Sequence, residues 1–239
     1  MVATGNIGPG NGIDEVEIYV SSATGEEVTL EISEPYHYCD TAKPANRGVW
    51  LAGWDADGDL QWTSVTLVCP SGGERALLET LPDGTVLALH HVGGGSVFDA
   101  NGPDETVFGE WDLSLYENDL GLSVLARYSP KGRLLSLTDL EIEQTPTAMV
   151  ARADGSLIVT TRREIHAFET DMTRKWTAEI LSEHTTYIND VEILSDGSVV
   201  VIGNYFVPIV LGEGEPNETT LKGLGVDSRY GAFMARYVP

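Results

Sequence analysis

The chain has 239 residues, 42% of them apolar and 21% charged, enough apolar content to bury a core and too much for a disordered chain. Lys and Arg number 14 against 37 Asp and Glu, so the net charge is −23. That balance excludes a phosphate backbone or an anionic membrane as the main partner, because either must be met by clustered cations. No run approaches the about 18 apolar residues of a membrane span, and Met1-Val2-Ala3-Thr4-Gly5 shows no charged-then-apolar leader.

Heavy turn usage, 26 Gly and 11 Pro, points to an all-β chain. The chain opens on Val2-Ala3-Thr4-Gly5, which matches the strand end Val201-Ile202-Gly203 near its other terminus. After a long segment, 6–48, comes Val49-Trp50-Leu51-Ala52-Gly53-Trp54, then a polar turn and Asp59-Leu60-Gln61-Trp62. These are strands c and d of a recurring set. Strands a and b follow: Ala76–Leu81, the turn Pro82-Asp83-Gly84, then Thr85-Val86-Leu87. Asp-Gly between apolar runs predicts a type I′ hairpin, whose two central residues need positive φ. Strand c returns as Ser123-Val124-Leu125-Ala126-Arg127-Tyr128 and d as Arg133-Leu134-Leu135-Ser136. The next a–b pair is Ala148–Arg152 and Ser156-Leu157-Ile158 around Asp154-Gly155, with c at Ile165–Glu169 and d at Arg174–Thr177. A last set runs through Val191–Leu194, Asp196-Gly197, Ser198-Val199-Val200 and, as strand c, Ala232–Tyr237.

The spacing is regular except at one point. From the Ala at the centre of strand c to the next Asp-Gly is 83−52=31, 154−126=28 and 196−167=29 residues. The return is 126−83=43, 167−154=13 and 235−196=39 residues, so all extra length falls between b and c, at 6–48, 93–121 and 204–230. A repeat of 167−126=41 residues with insertions at one point predicts a β-propeller of four-stranded antiparallel blades. About three and a half blades are expected: partial blade 1–69, blades 74–140 and 146–181, and partial blade 188–239. Part of a longer chain, a small closed ring and a ring completed by two chains are all compatible with that count, the first being preferred. The insertions hold the strand-like pieces Glu27–Ile32, Glu105–Phe108 and Thr219-Thr220-Leu221, so hairpins are expected on one face.

The stretches Gly231-Ala232-Phe233-Met234-Ala235-Arg236-Tyr237, Leu51–Trp62 and Asp196–Gly203 resemble bacterial extracellular β-propeller repeats of the seven-bladed type. The third repeat departs from that pattern, with Thr160-Thr161-Arg162-Arg163 at its strand end and Met172-Thr173 where a Gly turn belongs. The resemblance implies the fold and a surface, periplasmic or exported location, and no activity.

Candidate chemistry is sparse. Cys39 and Cys69, the only cysteines, fall at the same end of one repeat and predict a disulfide suited to an exported protein. Asp55, Asp57 and Asp59 alternate like calcium ligands. An ordinary c–d turn is the preferred reading, because the equivalent Ser129-Pro130-Lys131-Gly132 carries no carboxylate, so no cofactor is expected and calcium is the only candidate. His37, His90, His91, His166 and His184 lack metal spacing, and His90 and His91 point to opposite faces of a strand. No catalytic motif appears. Trp50, Trp54, Trp62 and Trp176 recur at strand positions and suit packing between blades, whereas Trp111, inside an insertion, is a candidate ligand contact. Asn217-Glu218-Thr219 matches a glycosylation sequon. The function expected is a non-enzymatic binding or assembly scaffold for a protein or glycan partner. A propeller-fold hydrolase or lyase acting on an extracellular polymer, and a structural subunit assembling into a homo-oligomer through open blade edges, are the alternatives.

Overall fold

The computed structural model describes residues 1–7, 16–21, 27–32, 48–68, 76–100, 102–109, 121–182, 186–214, 216–222 and 231–238. Among them every regular element is a strand and every pairing is antiparallel. The chain divides into two compact halves, Met1–Glu143 and Gln144–Pro239.

In the first half, strands b (Val2–Ile7), c (Gly48–Trp54) and d (Leu60–Leu67) form one sheet. A complete a–b–c–d sheet follows, built from Ala76–Thr80, Val86–Val92, Leu122–Tyr128 and Leu134–Asp139. The hairpin Val16–Ser21 and Glu27–Ile32 pairs within itself. Val49, Leu51 and Val68 of the first sheet meet Val86, Ala88, Val92, Val124, Ala126 and Tyr128 of the second in one buried cluster. Each Val or Leu side chain among them contributes roughly 1.5–3 kcal/mol on full burial.

The second half repeats the plan. A complete sheet holds Ala148–Ala151, Leu157–Thr160, Glu164–Phe168 and Arg174–Glu179 in the order a–b–c–d. A sheet of a (Thr186–Ile193), b (Val199–Tyr205) and c (Gly231–Tyr237) follows. Its Ile188, Val191, Val199, Val201 and Phe233 share a core with Ile158, Ile165 and Ile180.

The turns correct the expected type I′ geometry. At Leu81-Pro82-Asp83-Gly84-Thr85 the Gly84 amide donates to the Leu81 carbonyl and the Leu81 amide to the Thr85 carbonyl. Gly84 alone takes a positive φ, 84°, so Pro82 and Asp83 form a type I turn closed by a Gly in the left-handed region. The Asp83 carboxylate accepts the Thr85 amide, which fixes the corner. The same bonding recurs at Arg152–Ser156 and Leu194–Ser198, and also at the c–d turns Asp55–Asp59, Ser129–Arg133 and Glu169–Thr173. Five of the six turns place Gly in the left-handed position. The sixth uses Met172, at φ 66°. Met172→Gly is therefore expected to stabilise the protein by ~0.5 kcal/mol in urea melts, while Gly197→Ala, with open space around its Cβ, costs about 1 kcal/mol. Gly84→Ala should cost more than Gly197→Ala, because its Cβ would also meet Pro130 at 3.1 Å.

Each strand d carries one extra residue at the same place. Gly53 pairs with Trp62 but Trp54 with Leu60, and the same skip leaves out Leu135 in the second sheet and Lys175 in the third. A bulge tightens the local twist, so its repetition gives every strand d the same bend. Trp62 then lies so close over Gly53 and Gly132 that a Cβ at either would fall 2.3 or 2.4 Å from its indole, and its ring stacks on Tyr128 at 6.2 Å. The tryptophans of strands c and d are half-buried packing residues.

Two of the b–c insertions fold as hairpins that reach sideways. Ser96–Phe98 and Thr106–Phe108 add to the first sheet through Leu67 opposite Val97. Ile209–Leu211 and Thr219–Leu221 add in the same way to Leu181–Ser182, through Leu181 opposite Val210. Leu67 and Leu181 both stand seven residues after the first residue of their strand d. The equivalent position in the second sheet is Glu141, exposed and at φ 53°, and the repeat that follows it has no insertion.

Candidate functional site

The acidic turn is built by its own carboxylate. Asp55 Oδ1 accepts the amides of Asp57 and Asp59 at 3.0 and 2.9 Å, and Oδ2 accepts Gln61 Nε2 at 2.7 Å. Ser129 Oγ does the same for Lys131 and Arg133 in the next repeat, at 3.3 and 3.1 Å. An oxygen committed to two amides is poorly placed to replace a cation's water. Added calcium is expected to leave the melting temperature unchanged, and a rise of several degrees that Asp55→Asn abolishes would show Asp55, Asp57 and Asp59 acting as ligands. Cys39, Cys69, His37, His184 and Trp111 lie outside the described residues.

The two adjacent histidines part as strand geometry requires. His90 faces the core between the first two sheets, edge-on to Phe98 at 5.1 Å. Neither ring nitrogen has a hydrogen-bond partner among the described residues, and burial pushes its pKa down to about 3. A general base needs a pKa near the working pH and access to the reacting proton, and this imidazole has neither. Near it, Asp99 Oδ1 accepts Ser64 Oγ at 3.1 Å and Oδ2 accepts the Asp104 amide at 3.1 Å. Tyr128 is buried beside Ser64 and Thr66, its hydroxyl without a partner in hydrogen-bond geometry among the described residues, and burial drives its phenol up to about 12.

His91 approaches Ser123 Oγ with Nδ1 at 3.4 Å, the one Ser–His pair among the described residues of the first half. Ser123 Oγ donates to the Ile142 carbonyl at 2.9 Å, so its proton is directed away from the imidazole and the hydroxyl is held as a bracket rather than activated. In the second half, His166 Nδ1 lies 3.2 Å from Thr177 Oγ1 and Nε2 lies 3.4 Å from Glu164. Burial, with help from Arg174, lowers its pKa to about 4, so at neutral pH this contact is not an ion pair. Gln144 Nε2 donates to the same carboxylate at 3.0 Å.

The surface beside the first hairpin is more open. A groove of about 520 Å³ runs between Asp104–Phe108 and Leu134–Leu137. A bidentate pair ties its two walls together, Arg133 Nε to Asp104 Oδ2 at 3.1 Å and Nη2 to Oδ1 at 2.9 Å. The guanidinium holds the Asp104 carboxyl below its usual range. Beside the second hairpin a groove of about 450 Å³ is lined by Leu181, Ser182, Val207, Pro208 and Val210. The groove walls were legible only in part: the sequence marks Glu105–Phe108 as strand-like, but nothing local reveals that it faces Leu134–Leu137.

No protein-family description and no curated protein matches the chain. Among solved structures it is similar to a protein of unknown function from Bacteroides caccae, with 15% identity and a TM-score of 0.40, over 88% of this chain and 61% of the other. It is also similar to a catalytically inactive virginiamycin B lyase from Staphylococcus aureus, solved with quinupristin, with 14% identity and a TM-score of 0.41, over 95% of this chain and 61% of the lyase. The chain thus spans about three fifths of the length of each.

Proposed function

We propose that the chain is an exported β-propeller repeat protein, each four-stranded sheet a blade, that works as a non-enzymatic binding scaffold. The observation that carries this reading is that one turn geometry and one strand-d bulge recur from repeat to repeat while the large changes of length fall between strands b and c. A framework that holds constant while one connection varies is how repeat proteins change what they bind. The described polar groups support the same reading, since Asp99, Ser123 and the turn carboxylates each anchor backbone.

Immobilised full-length chain offered a panel of polysaccharides and peptides is expected to retain at least one saturably and return it with unchanged mass. Cleavage of a panel member, detected by mass spectrometry, would overturn the scaffold reading in favour of an enzyme. The exported location predicts a Cys39–Cys69 disulfide. Intact mass after alkylation without reductant should show no modified thiol, and two modified thiols would count against that location.

A further inference from the structure

Among the described residues, strand d of the second sheet, Leu134–Asp139, is paired on one side only, to strand c. The Leu140 amide donates to the Ser123 carbonyl, so by alternation the amides of Thr138 and Ser136 also face strand c, and those of Leu137 and Asp139 face outward. The other two strands d each have a strand of their own chain laid beside them or beside their continuation, Ser96-Val97-Phe98 at Leu67 and Ile209-Val210-Leu211 at Leu181–Ser182. The repeat after the second sheet supplies none, because only a tight turn separates Thr160 from Glu164.

We propose that this edge takes up an extended basic peptide by β-strand addition. This deepens the scaffold reading by naming its partner's chemistry. The outward amides and carbonyls of Leu134–Asp139 supply main-chain hydrogen bonds, and the groove of about 520 Å³ beside them receives alternate side chains. Two large apolar side chains flank the edge, Leu135 at 58% exposure and Val107 at 43%. Carboxylates lie at the groove, Glu105, and where the strand runs out, Asp139, Glu141 and Glu143, while Arg133 at its start is engaged by Asp104. A second copy of the chain would bring another net charge of −23, so long-range repulsion opposes self-pairing and favours a cationic strand. The occupant is expected to be a strand with apolar residues on one face and Lys or Arg on the other.

The test uses the full chain and fluorescein-labelled alternating Lys-Val hexapeptides, read by fluorescence anisotropy. Saturable binding is expected, and about tenfold weaker binding of both the Glu-Val counterpart and a Lys-Val peptide N-methylated at alternate residues, which keeps its charge but cannot pair as a strand. The double variant Glu105→Lys/Glu143→Lys should weaken binding by a similar factor, and Glu213→Lys, a charge reversal in the second half, should not. Equal binding of the N-methylated peptide, or none of the parent peptide, would overturn strand addition. Either result leaves the scaffold reading to stand or fall on retention without cleavage in the panel.

Discussion

Lowering the pH from 7 to 5 is expected to cost the folded protein about 2 kcal/mol through His90 alone, and His90→Leu should remove that loss. The imidazole is fully buried, has no hydrogen-bond partner among the described residues, and titrates near 3 in the folded state against 6.5 in its absence. The folded pKa is therefore depressed below the unfolded one. Between those values the unfolded chain binds a proton that the native state refuses, so stability rises with pH across the window and is lost on acidification. From the unfolded pKa of 6.5 down to pH 5 is 1.5 units, at about 1.36 kcal/mol per unit. His166 acts in the same direction over a narrower window, its pKa lowered to about 4. The turn carboxylates Asp83, Asp154, Asp171 and Asp196, all held below their usual range by hydrogen bonds from the residue two places on, add their loss only at lower pH. Urea melts at pH 7 and pH 5 on the parent chain and His90→Leu settle the point. An equal pH slope in the two would mean that a buried neutral His90 is not the source of the loss.

What could be read from sequence was what local chemistry writes down. Asp-Gly after an apolar run marks a hairpin because only Gly adopts the left-handed corner cheaply, and the turns at Gly84, Gly155 and Gly197 all sit there. The type I′ expectation puts Asp and Gly at the two central positions of the turn. The backbone bonds show Pro82-Asp83 in the centre, with Gly following. Strands Glu27–Ile32 and Thr219–Leu221 stand where their β-branched runs put them. Strand d was seen only at its start, because Thr63, Ser64 and Thr66 interrupt the apolar alternation although Ser64 and Thr66 are buried. The part of strand Thr186–Ile193 that precedes Val191 is hidden in the sequence by Asn189, the bulged residue that breaks the period of two. Sideways pairing of Leu67 with Val97 joins residues 30 apart through one bridge, and no local pattern announces it. Of the candidate site, the opposed faces of His90 and His91 followed from parity, whereas the role of Asp99 did not. Its signal is the short Asp99-Ala100-Asn101-Gly102 stretch, which places Gly102 where any Cβ would strike the Asp99 carboxylate.

Gly203→Ala is expected to destabilise the second half more than any turn substitution, by about 3 kcal/mol. Gly203 is in the middle of strand b of the fourth sheet, opposite Ile188, next to the point where the register slips past Asn189. That bulge pushes the neighbouring backbone inward, so an added Cβ would lie 2.2 Å from the Tyr187 carbonyl oxygen and 2.5 Å from Phe233 Cζ. Phe233 can rotate, but the carbonyl belongs to a strand paired along its length and can move only if the bulge is lost. Removing the bulge shifts one side of the strand by a residue and turns the buried Ile188 and Thr186 toward the opposite face. Either the overpacking is tolerated, at the upper end of what an added methyl costs in a filled core, or the register slips and costs at least as much. Glycine within a strand ordinarily weakens it, so at an unconstrained site the same change to Ala would stabilise. The sign therefore decides the matter. A loss in urea melts with hydrogen exchange accelerated across Thr186–Ile193 confirms that Gly203 holds the bulge, whereas an unchanged or raised midpoint would mean that the strand a carbonyl does not approach it.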